Sequence, residues 1–282
     1  MKILSQLAFL LIINFSLSAA SKNNFNPLYT PHPFHYDLGI EVLPTAQNEA
    51  NVMICCHGMG SSNKLGHILR TYPEIKDHIV SFNFPDHGIV DNAYDANQTS
   101  FGSIEELLPM LYVLKKCVVE GKIESVNLYG FSAGGGAVIN AIGTLNTSYY
   151  DSDLSRIGIK TEDKRRILTA IQRGRVILDC PLKSIEEIIA YRGSSLHMQT
   201  LADRYRKSGM RPIDALQKLA NLKLDVVIHF QTPDKILSNR DDELFVKNLK
   251  DVNRDGNTTF VSGKDGGHNA YHRSLWKALA GK

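Results

Sequence analysis

The chain has 282 residues, of which 43% are hydrophobic, and its formal net charge at pH 7 is +3. A chain of this size and composition can bury a full apolar core, and the length fits one large α/β domain. The small net charge, and the lack of a basic stripe with interleaved aromatic residues, argue against a nucleic-acid-binding protein.

The start of the chain has the pattern of an export signal. Lys2 precedes an apolar run from Leu7 to Phe15, and small residues occupy positions 18–20. The run is well short of the roughly 20 apolar residues that span a bilayer. We therefore predict a signal peptide over residues 1–20. The expected mature protein, residues 21–282, is secreted or periplasmic and has no stable membrane insertion.

Further along the chain, short apolar runs alternate with segments of helical spacing. The runs are almost continuously hydrophobic, which is typical of strands buried on both faces of a parallel sheet. The predicted strands cover residues 51–58, 78–88, 125–132, 175–181, 225–234 and 258–268. The predicted helices cover residues 103–119, 134–145, 162–172, 184–191, 213–222, 240–249 and 270–279, and the first has Ser103 and Glu106 in capping-box register. This alternation predicts one doubly wound α/β domain with a mostly parallel sheet.

The cysteines do not form a metal-binding pattern. The chain has four of them, Cys55, Cys56, Cys117 and Cys180, without a C-x-x-C pair or any metal-ligand spacing. Four cysteines allow three disulfide pairings, among which the sequence does not choose. Most lie in apolar strand contexts that favour a small buried side chain. We expect no metal and no cofactor.

Chemically reactive side chains collect at the predicted strand ends. In an open parallel sheet, function gathers at the carboxyl ends of the strands. Ser132 ends one strand within the pattern G-x-S-x-G, Asp179 and Asp234 end two later strands, and His268 ends the last. The chain order is therefore Ser, Asp, His.

These motifs resemble those of the α/β-hydrolase superfamily, whose nucleophile turn is G-x-S-x-G and whose acid and histidine follow in that order. The resemblance covers nearly all of the mature chain and is closest to the dienelactone-hydrolase and prolyl-oligopeptidase-like branches. "HGMG" resembles the oxyanion loop, "GFSAGG" the nucleophile turn, "TPDKILS" the acid loop and "GGHNAYH" the histidine loop. "FNFPDHG" resembles a common structural turn of the superfamily but has Asp86 where glycine is usual.

The resemblance implies a role for each residue type. Ser132 would be the nucleophile, His268 its general base, and Asp234 the carboxylate that orients the imidazole. Backbone N–H groups of Met59 and Ala133 would hold the oxyanion. These assignments predict a serine hydrolase that needs no cofactor.

Two of these roles have competitors in the sequence. Asp179 ends the preceding strand and is an alternative acid, whereas Asp241 and Asp242 fall in the first turn of a predicted helix, where acidic residues favour the helix dipole. His57 adjoins the oxyanion loop, and we interpret it as a brace for that loop. Asp234 is favoured by its place at the strand end.

The segments over the strand ends, residues 146–173 and 192–221, are short, which indicates a small cap. A small cap favours modest ester or thioester substrates. An exported serine peptidase of the same fold is a second hypothesis, and a catalytically silent binding protein on a hydrolase scaffold is a third. The complete set of Ser132, Asp234 and His268 argues against silence, while the oligomeric state stays open.

Overall fold

The computed structural model describes residues 25–45, 51–85, 100–193, 195–237, 239, 242–264, 267–268 and 273–281. The predicted signal peptide, Asp86 and Asp241 lie outside the described residues. Among the residues that are described, no helix is both long and apolar enough to cross a bilayer.

A seven-stranded sheet forms the centre of the molecule, with the strand order β1-β3-β2-β4-β5-β6-β7. β1 is antiparallel to β3, and every other neighbouring pair is parallel. The strands are β1 (Glu41–Leu43), β2 (Val52–Cys56), β3 (His78–Ser81), β4 (Val126–Phe131), β5 (Val176–Asp179), β6 (Asp225–Gln231) and β7 (Asn257–Gly263). The predicted doubly wound, mostly parallel sheet is confirmed.

Helices follow most of the strands and cover both faces of the sheet. They are α1 (Lys64–Arg70), α2 (Ile104–Lys115), α3 (Ala133–Leu145), α4 (Asp151–Arg156), α5 (Thr161–Arg173), α6 (Ile185–Arg192), α7 (Leu196–Ser208), α8 (Pro212–Ala215), α9 (Asp242–Val252) and α10 (Arg273–Ala280). A π-helical turn, Lys116–Glu120, extends α2, and 3₁₀ turns cover Asn26–Tyr29 and Leu216–Leu219. The sequence did not predict β1, α1, α4 or α7.

Alternate residues of the central strands point to opposite faces, so each strand contributes to two apolar layers. Ile54 and Leu128 pack on the face that carries α2 and α3. Met53 and Tyr129 pack on the other face with Trp276 of α10. Because both faces are covered, the strands are hydrophobic throughout their length.

α7 lies within the predicted cap segment of residues 192–221. Leu201 and Tyr205 of α7 are buried in the core, whereas Leu196 at the start of this helix is 81% exposed. Tyr205 is bound to the body of the molecule through hydrogen bonds from its hydroxyl to Glu106, at 3.1 and 3.2 Å. The buried side chains of α7 therefore pack against the body, as a small docked cap.

The start of α2 differs from the predicted capping box. The Ser103 hydroxyl donates to the carbonyl of Ser100 at 2.5 Å and makes no cap bond. Glu106 accepts from the backbone N–H of Gly102 at 2.8 Å. The prediction was wrong because Glu106 is drawn inward by the buried hydroxyl of Tyr205.

The four cysteines are all buried and unpaired. Burial raises the pKa of the Cys117 thiol to about 12, so the neutral form is favoured.

Candidate active site

Ser132 lies on a sharp turn between β4 and α3. Its backbone has φ +54° and ψ −119°, a left-handed conformation that costs a non-glycine residue of order 1–3 kcal/mol. The turn is held from both sides, because the Ser132 N–H donates to the carbonyl of Asp179 at 2.9 Å and the Leu182 N–H donates to the carbonyl of Ser132 at 2.8 Å. The strained turn projects the hydroxyl at the carboxyl end of the sheet.

The glycines on each side of Ser132 allow this turn to pack closely. A Cβ on Gly130 would lie 2.6 Å from the carbonyl oxygen of Gly134. A Cβ on Gly134 would lie 2.1 Å from the carbonyl oxygen of Cys56 and 2.6 Å from that of His57. All three distances are shorter than those of real Cβ contacts, so close packing requires glycine at both positions of the G-x-S-x-G pattern.

The side chains of Ser132, Asp234 and His268 lie in one hydrogen-bonded row. His268 Nδ1 is 2.7 Å from Asp234 Oδ2, and His268 Nε2 is 2.8 Å from Ser132 Oγ. Since a carboxylate only accepts, Nδ1 carries the proton and Nε2 is free to accept from the serine hydroxyl. The imidazole also packs on the ring of Phe131, with 5.1 Å between centroids.

Asp234 is held as a carboxylate in a buried place. Its Oδ1 accepts from the backbone N–H groups of Ile236 and Leu237, at 2.7 and 2.9 Å. Burial alone would raise the pKa of Asp234, but the hydrogen bond and charge of His268 and these two N–H groups outweigh it and lower the pKa. The group is therefore ionised at neutral pH, as a partner for an imidazolium must be.

The predicted oxyanion residues adjoin Ser132 in the fold. Ala133 is the first residue of α3, where backbone N–H groups lack partners within the helix. Met59 follows Gly58, and a Cβ on Gly58 would lie 3.1 Å from Ser132 Cβ. The loop of Met59 thus passes beside the serine.

His57 has structural contacts and is 1% exposed. Its Nδ1 lies 2.8 Å from the carbonyl oxygen of Gly58, and its Nε2 accepts from the N–H of Phe84 at 3.2 Å. These bonds join the end of β2 to the segment after β3 and fit the interpretation of His57 as a brace.

This architecture is shared with solved structures of low sequence identity. A carboxylesterase from Lactobacillus plantarum WCFS1 superposes with a TM-score of 0.56 and 13% identity, covering 86% of this chain and 89% of that one. An esterase from Pyrococcus furiosus gives 0.54 and 14%, covering 87% and 88%. A monoglyceride lipase from Saccharomyces cerevisiae, solved with a substrate analogue, gives 0.57 and 14%, covering 88% and 90%.

The chain has the α/β-hydrolase fold. No protein-family model matches the sequence, and no curated protein matches it significantly. At these identities the structural likeness establishes the fold alone.

A second Asp–His–Ser row, which the sequence did not predict, lies on the α10 side of the sheet. Asp179 Oδ1 is 2.7 Å from His229 Nδ1, and His229 Nε2 is 3.2 Å from Ser274 Oγ. The other carboxylate oxygen of Asp179 accepts from the Tyr129 hydroxyl at 2.7 Å. Both carboxylate oxygens of Asp179 therefore bind groups other than His268. The carboxylate that contacts His268 is that of Asp234.

The two rows share a cysteine neighbour. In one group, the sulfur of Cys180 lies within 4.8 Å of a side-chain oxygen of Asp179 and a ring nitrogen of His229. In the other group, it lies within the same distance of Asp234 and His268. In both groups the histidine Nδ1 already faces a carboxylate at 2.7 Å. Burial raises the pKa of the Cys180 thiol, and a metal would need the thiolate. Both groups are better suited to hydrogen bonding than to metal ligation.

Proposed function

We propose that this chain is a serine hydrolase that cleaves carboxylic esters or thioesters of small to medium acyl groups. The observation that carries the proposal is the row in which His268 lies between Asp234 Oδ2 at 2.7 Å and Ser132 Oγ at 2.8 Å. The names of the structural neighbours, which include carboxylesterases and a lipase, support ester hydrolysis.

In the proposed reaction, Ser132 Oγ attacks the ester carbonyl carbon while its proton passes to His268 Nε2. Asp234 stabilises the imidazolium that forms. The carbonyl oxygen becomes an oxyanion held by the backbone N–H groups of Met59 and Ala133, and each such donor is worth roughly 100- to 1000-fold in turnover.

The tetrahedral intermediate then collapses. Its bond to the leaving group breaks, C–O in an ester or C–S in a thioester, and His268 gives its proton to the departing alcohol or thiol, which leaves an acyl group on Ser132. A water molecule attacks the acyl-enzyme and gives a proton to His268. The bond from the acyl carbon to Ser132 Oγ then breaks, His268 returns the proton to Ser132 Oγ, and the carboxylic acid is released. The proposal therefore predicts that activity falls at low pH, because a protonated imidazole cannot accept the serine proton.

Fluorophosphonate labelling of the purified protein tests the nucleophile. We expect wild type to be labelled and Ser132→Ala to take no label. Ser274→Ala is the matched control, since it removes the hydroxyl of the other Asp–His–Ser row and should keep the label. No label on wild type, or equal label on Ser132→Ala, would sink the proposal.

The bond class is tested by a substrate panel. p-Nitrophenyl esters of increasing acyl length, matched thioesters and aminoacyl arylamides are compared on the same preparation. We expect turnover of short to medium esters and thioesters above that of the arylamides. The reverse order would favour the peptidase of the same fold.

Export is a separate part of the proposal and depends on the predicted signal peptide over residues 1–20. The test is to express the full chain in a host with a secretory pathway and to sequence the amino terminus of the exported protein. We expect a mature terminus at Ser21. A protein retained in the cell with residues 1–20 attached would overturn this part.

A further inference from the structure

We propose that Asn239 and Lys183 are positioning residues that hold the loop of Asp234 in register with His268. This inference rests on the proposed function, because it concerns the residue that orients the general base. Asn239 contacts the backbone N–H of Asp234, and Lys183 acts through Asp242, which Asn239 also binds.

Asn239 connects three parts of the acid loop through one amide group. Its Oδ1 accepts from the backbone N–H of Asp234 at 3.2 Å. Its Nδ2 donates to the carbonyl of Gln231, the last residue of β6, at 2.9 Å, and to Asp242 Oδ2 at 2.8 Å. The strand end, the acid and the start of α9 are therefore fixed to one another by Asn239.

Asp242 in turn belongs to a buried ion cluster around Lys183. The Lys183 ammonium pairs with Asp242 Oδ1 and with Glu187 Oε1 of α6, the latter at 2.7 Å. It also lies 4.9 Å from the centroid of the Phe230 ring in β6. The Lys183 and Glu187 side chains are each 2% exposed, so their charges are screened little by solvent and depend on one another.

Lys183 also follows the residue that holds the nucleophile turn. Leu182 donates to the carbonyl of Ser132, and the carbonyl of Lys183 accepts from Ile213 at 3.1 Å. These bonds hold the backbone of Lys183 beside the turn of Ser132. The ammonium of Lys183 pairs with Asp242, and Asp242 is joined through Asn239 to the loop of Asp234. One continuous chain of contacts sets the distance between the two ends of the catalytic row.

The proposed reaction needs the Asp234 carboxylate to be placed accurately beside His268, which is why this chain of contacts matters. The imidazole accepts the serine proton only while Asp234 stays within hydrogen-bond distance of Nδ1, and a misplacement of about 1 Å can cost about 100-fold in rate. Loss of Asn239 removes the only side-chain contact that the structure describes between the Asp234 backbone N–H and the body of the protein.

The experiment compares Asn239→Ala and Lys183→Met with two matched controls. Asn146→Ala removes an amide that donates to the carbonyl of Lys218 at 2.7 Å, outside the site. Lys164→Met removes a buried ammonium that pairs with Asp151 at 2.6 Å. For both test variants we expect kcat to fall about 10- to 100-fold with KM nearly unchanged, and for the controls we expect wild-type kcat.

The pH–rate profile separates positioning from general loss of stability. A displaced carboxylate stabilises the imidazolium less, so the acid limb of the profile should move to lower pH in Asn239→Ala. Asn239→Asp keeps the size of the side chain and its Oδ1 but places a carboxylate against the carbonyl of Gln231 and Asp242 Oδ2, so we expect a kcat no higher than that of Asn239→Ala. A lowered melting temperature with unchanged kcat and an unchanged acid limb in Asn239→Ala would overturn the inference.

A readout that needs no substrate keeps this inference distinct from the proposed function. Proton NMR of the wild-type protein should show a low-field resonance from the His268 Nδ1–H that is bonded to Asp234. We expect the resonance to shift or vanish in Asn239→Ala and in Lys183→Met, and to persist in both controls. An unchanged resonance in both test variants overturns the inference even if esters are hydrolysed, and a selective change upholds it even if none is.

Discussion

The molecule contains two Asp–His–Ser rows that share a 2.7 Å contact between carboxylate and histidine but differ in the backbone that presents the serine. In one, Ser132 lies on a strained turn at the start of a helix, partly exposed, with Nε2 of His268 at 2.8 Å. In the other, Ser274 lies within α10, and the histidine, His229, is completely buried in β6 with Nε2 at 3.2 Å. The comparison teaches that three residue types in one order do not identify a site, and that the backbone carrying the serine distinguishes the Ser132 row from the Ser274 row.

The two rows also differ in how the carboxylate is satisfied. Asp234 accepts from backbone N–H groups and from His268. Asp179 accepts from His229 and from the hydroxyl of Tyr129, whose own pKa is raised by burial and by the neighbouring carboxylate. The second row is a buried network that fastens β4, β5, β6 and α10 together, whereas the first joins the turn after β4 to the loops that follow β6 and β7.

The largest expected effect separates the two carboxylates. Asp234→Asn keeps the shape but cannot hold the imidazole in the required tautomer, and we expect kcat to fall about 10⁴-fold. Asp179→Asn, the matched change in the other row, should retain turnover while lowering the free energy of unfolding. Steady-state kinetics on one ester that the wild-type protein hydrolyses well measures kcat for both variants. Equal losses of kcat in the two variants would contradict the distinction.

Another buried carboxylate, Glu106, sharpens the comparison because its hydrogen-bond partners among the described residues are a backbone N–H and a tyrosine hydroxyl rather than a histidine. Burial raises the pKa of Glu106 from 4.5 to about 7, against the opposing effects of the Gly102 N–H, the Tyr205 hydroxyl and the Arg204 charge. Since the folded pKa lies above the unfolded one, folding takes up a proton. The resulting stability is complete below pH 4.5 and is lost as pH rises through about 7.

The expected change in the free energy of unfolding over that interval is about 3 kcal/mol. Glu106→Gln should flatten this part of the pH dependence, whereas Glu105→Gln, at the exposed neighbouring position, should not. Urea denaturation at a series of pH values makes the measurement. A pH dependence that Glu106→Gln leaves intact would refute the assignment to this residue.

The packing of the buried row provides the next test. A Cβ on Gly263 would lie 2.5 Å from His229 Nε2 and 2.7 Å from Ser274 Oγ. We expect Gly263→Ala to lower the free energy of unfolding by about 1–3 kcal/mol, as overpacking does in a filled core. Gly281→Ala, where the nearest atom lies at 3.6 Å, is the control. Equal melting temperatures for Gly263→Ala and wild type would show that the row can rearrange.

The smallest expected effect is at the serine of the buried row. Ser274→Ala removes one hydrogen bond to His229 and should cost about 1 kcal/mol of stability. Ester turnover should be unaffected. A loss of turnover comparable to that of Ser132→Ala would mean that the two rows act together.

The row of Ser132, Asp234 and His268 was predictable because its members end apolar strands. Ser132, Asp234 and His268 each follow a hydrophobic run, and the carboxyl ends of parallel strands meet at one edge. The general fold was predictable for the same reason. β1 was not, since three residues at an antiparallel edge leave no pattern of their own.

The buried row and the loop anchor were not predictable from the sequence. Asp179 and His229 become neighbours only through the register of β5 against β6, which the apolar pattern of the two strands does not reveal. Asn239 lies in a loop of polar residues, and the sequence does not distinguish an asparagine that binds three partners from one that binds none. Lys183 had no sequence signal, because a buried lysine is recognised only by the carboxylates that surround it.

The backbone at Ser132 has a consequence for the heat resistance of the protein. Its left-handed conformation is cheap only for glycine, so Ser132→Gly should relieve about 1–3 kcal/mol of strain, more than the about 1 kcal/mol that a lost hydrogen bond costs. The Ser132→Gly variant would then outlast the wild-type protein on heating. The hydroxyl group at position 132 is thus maintained at a cost in heat resistance.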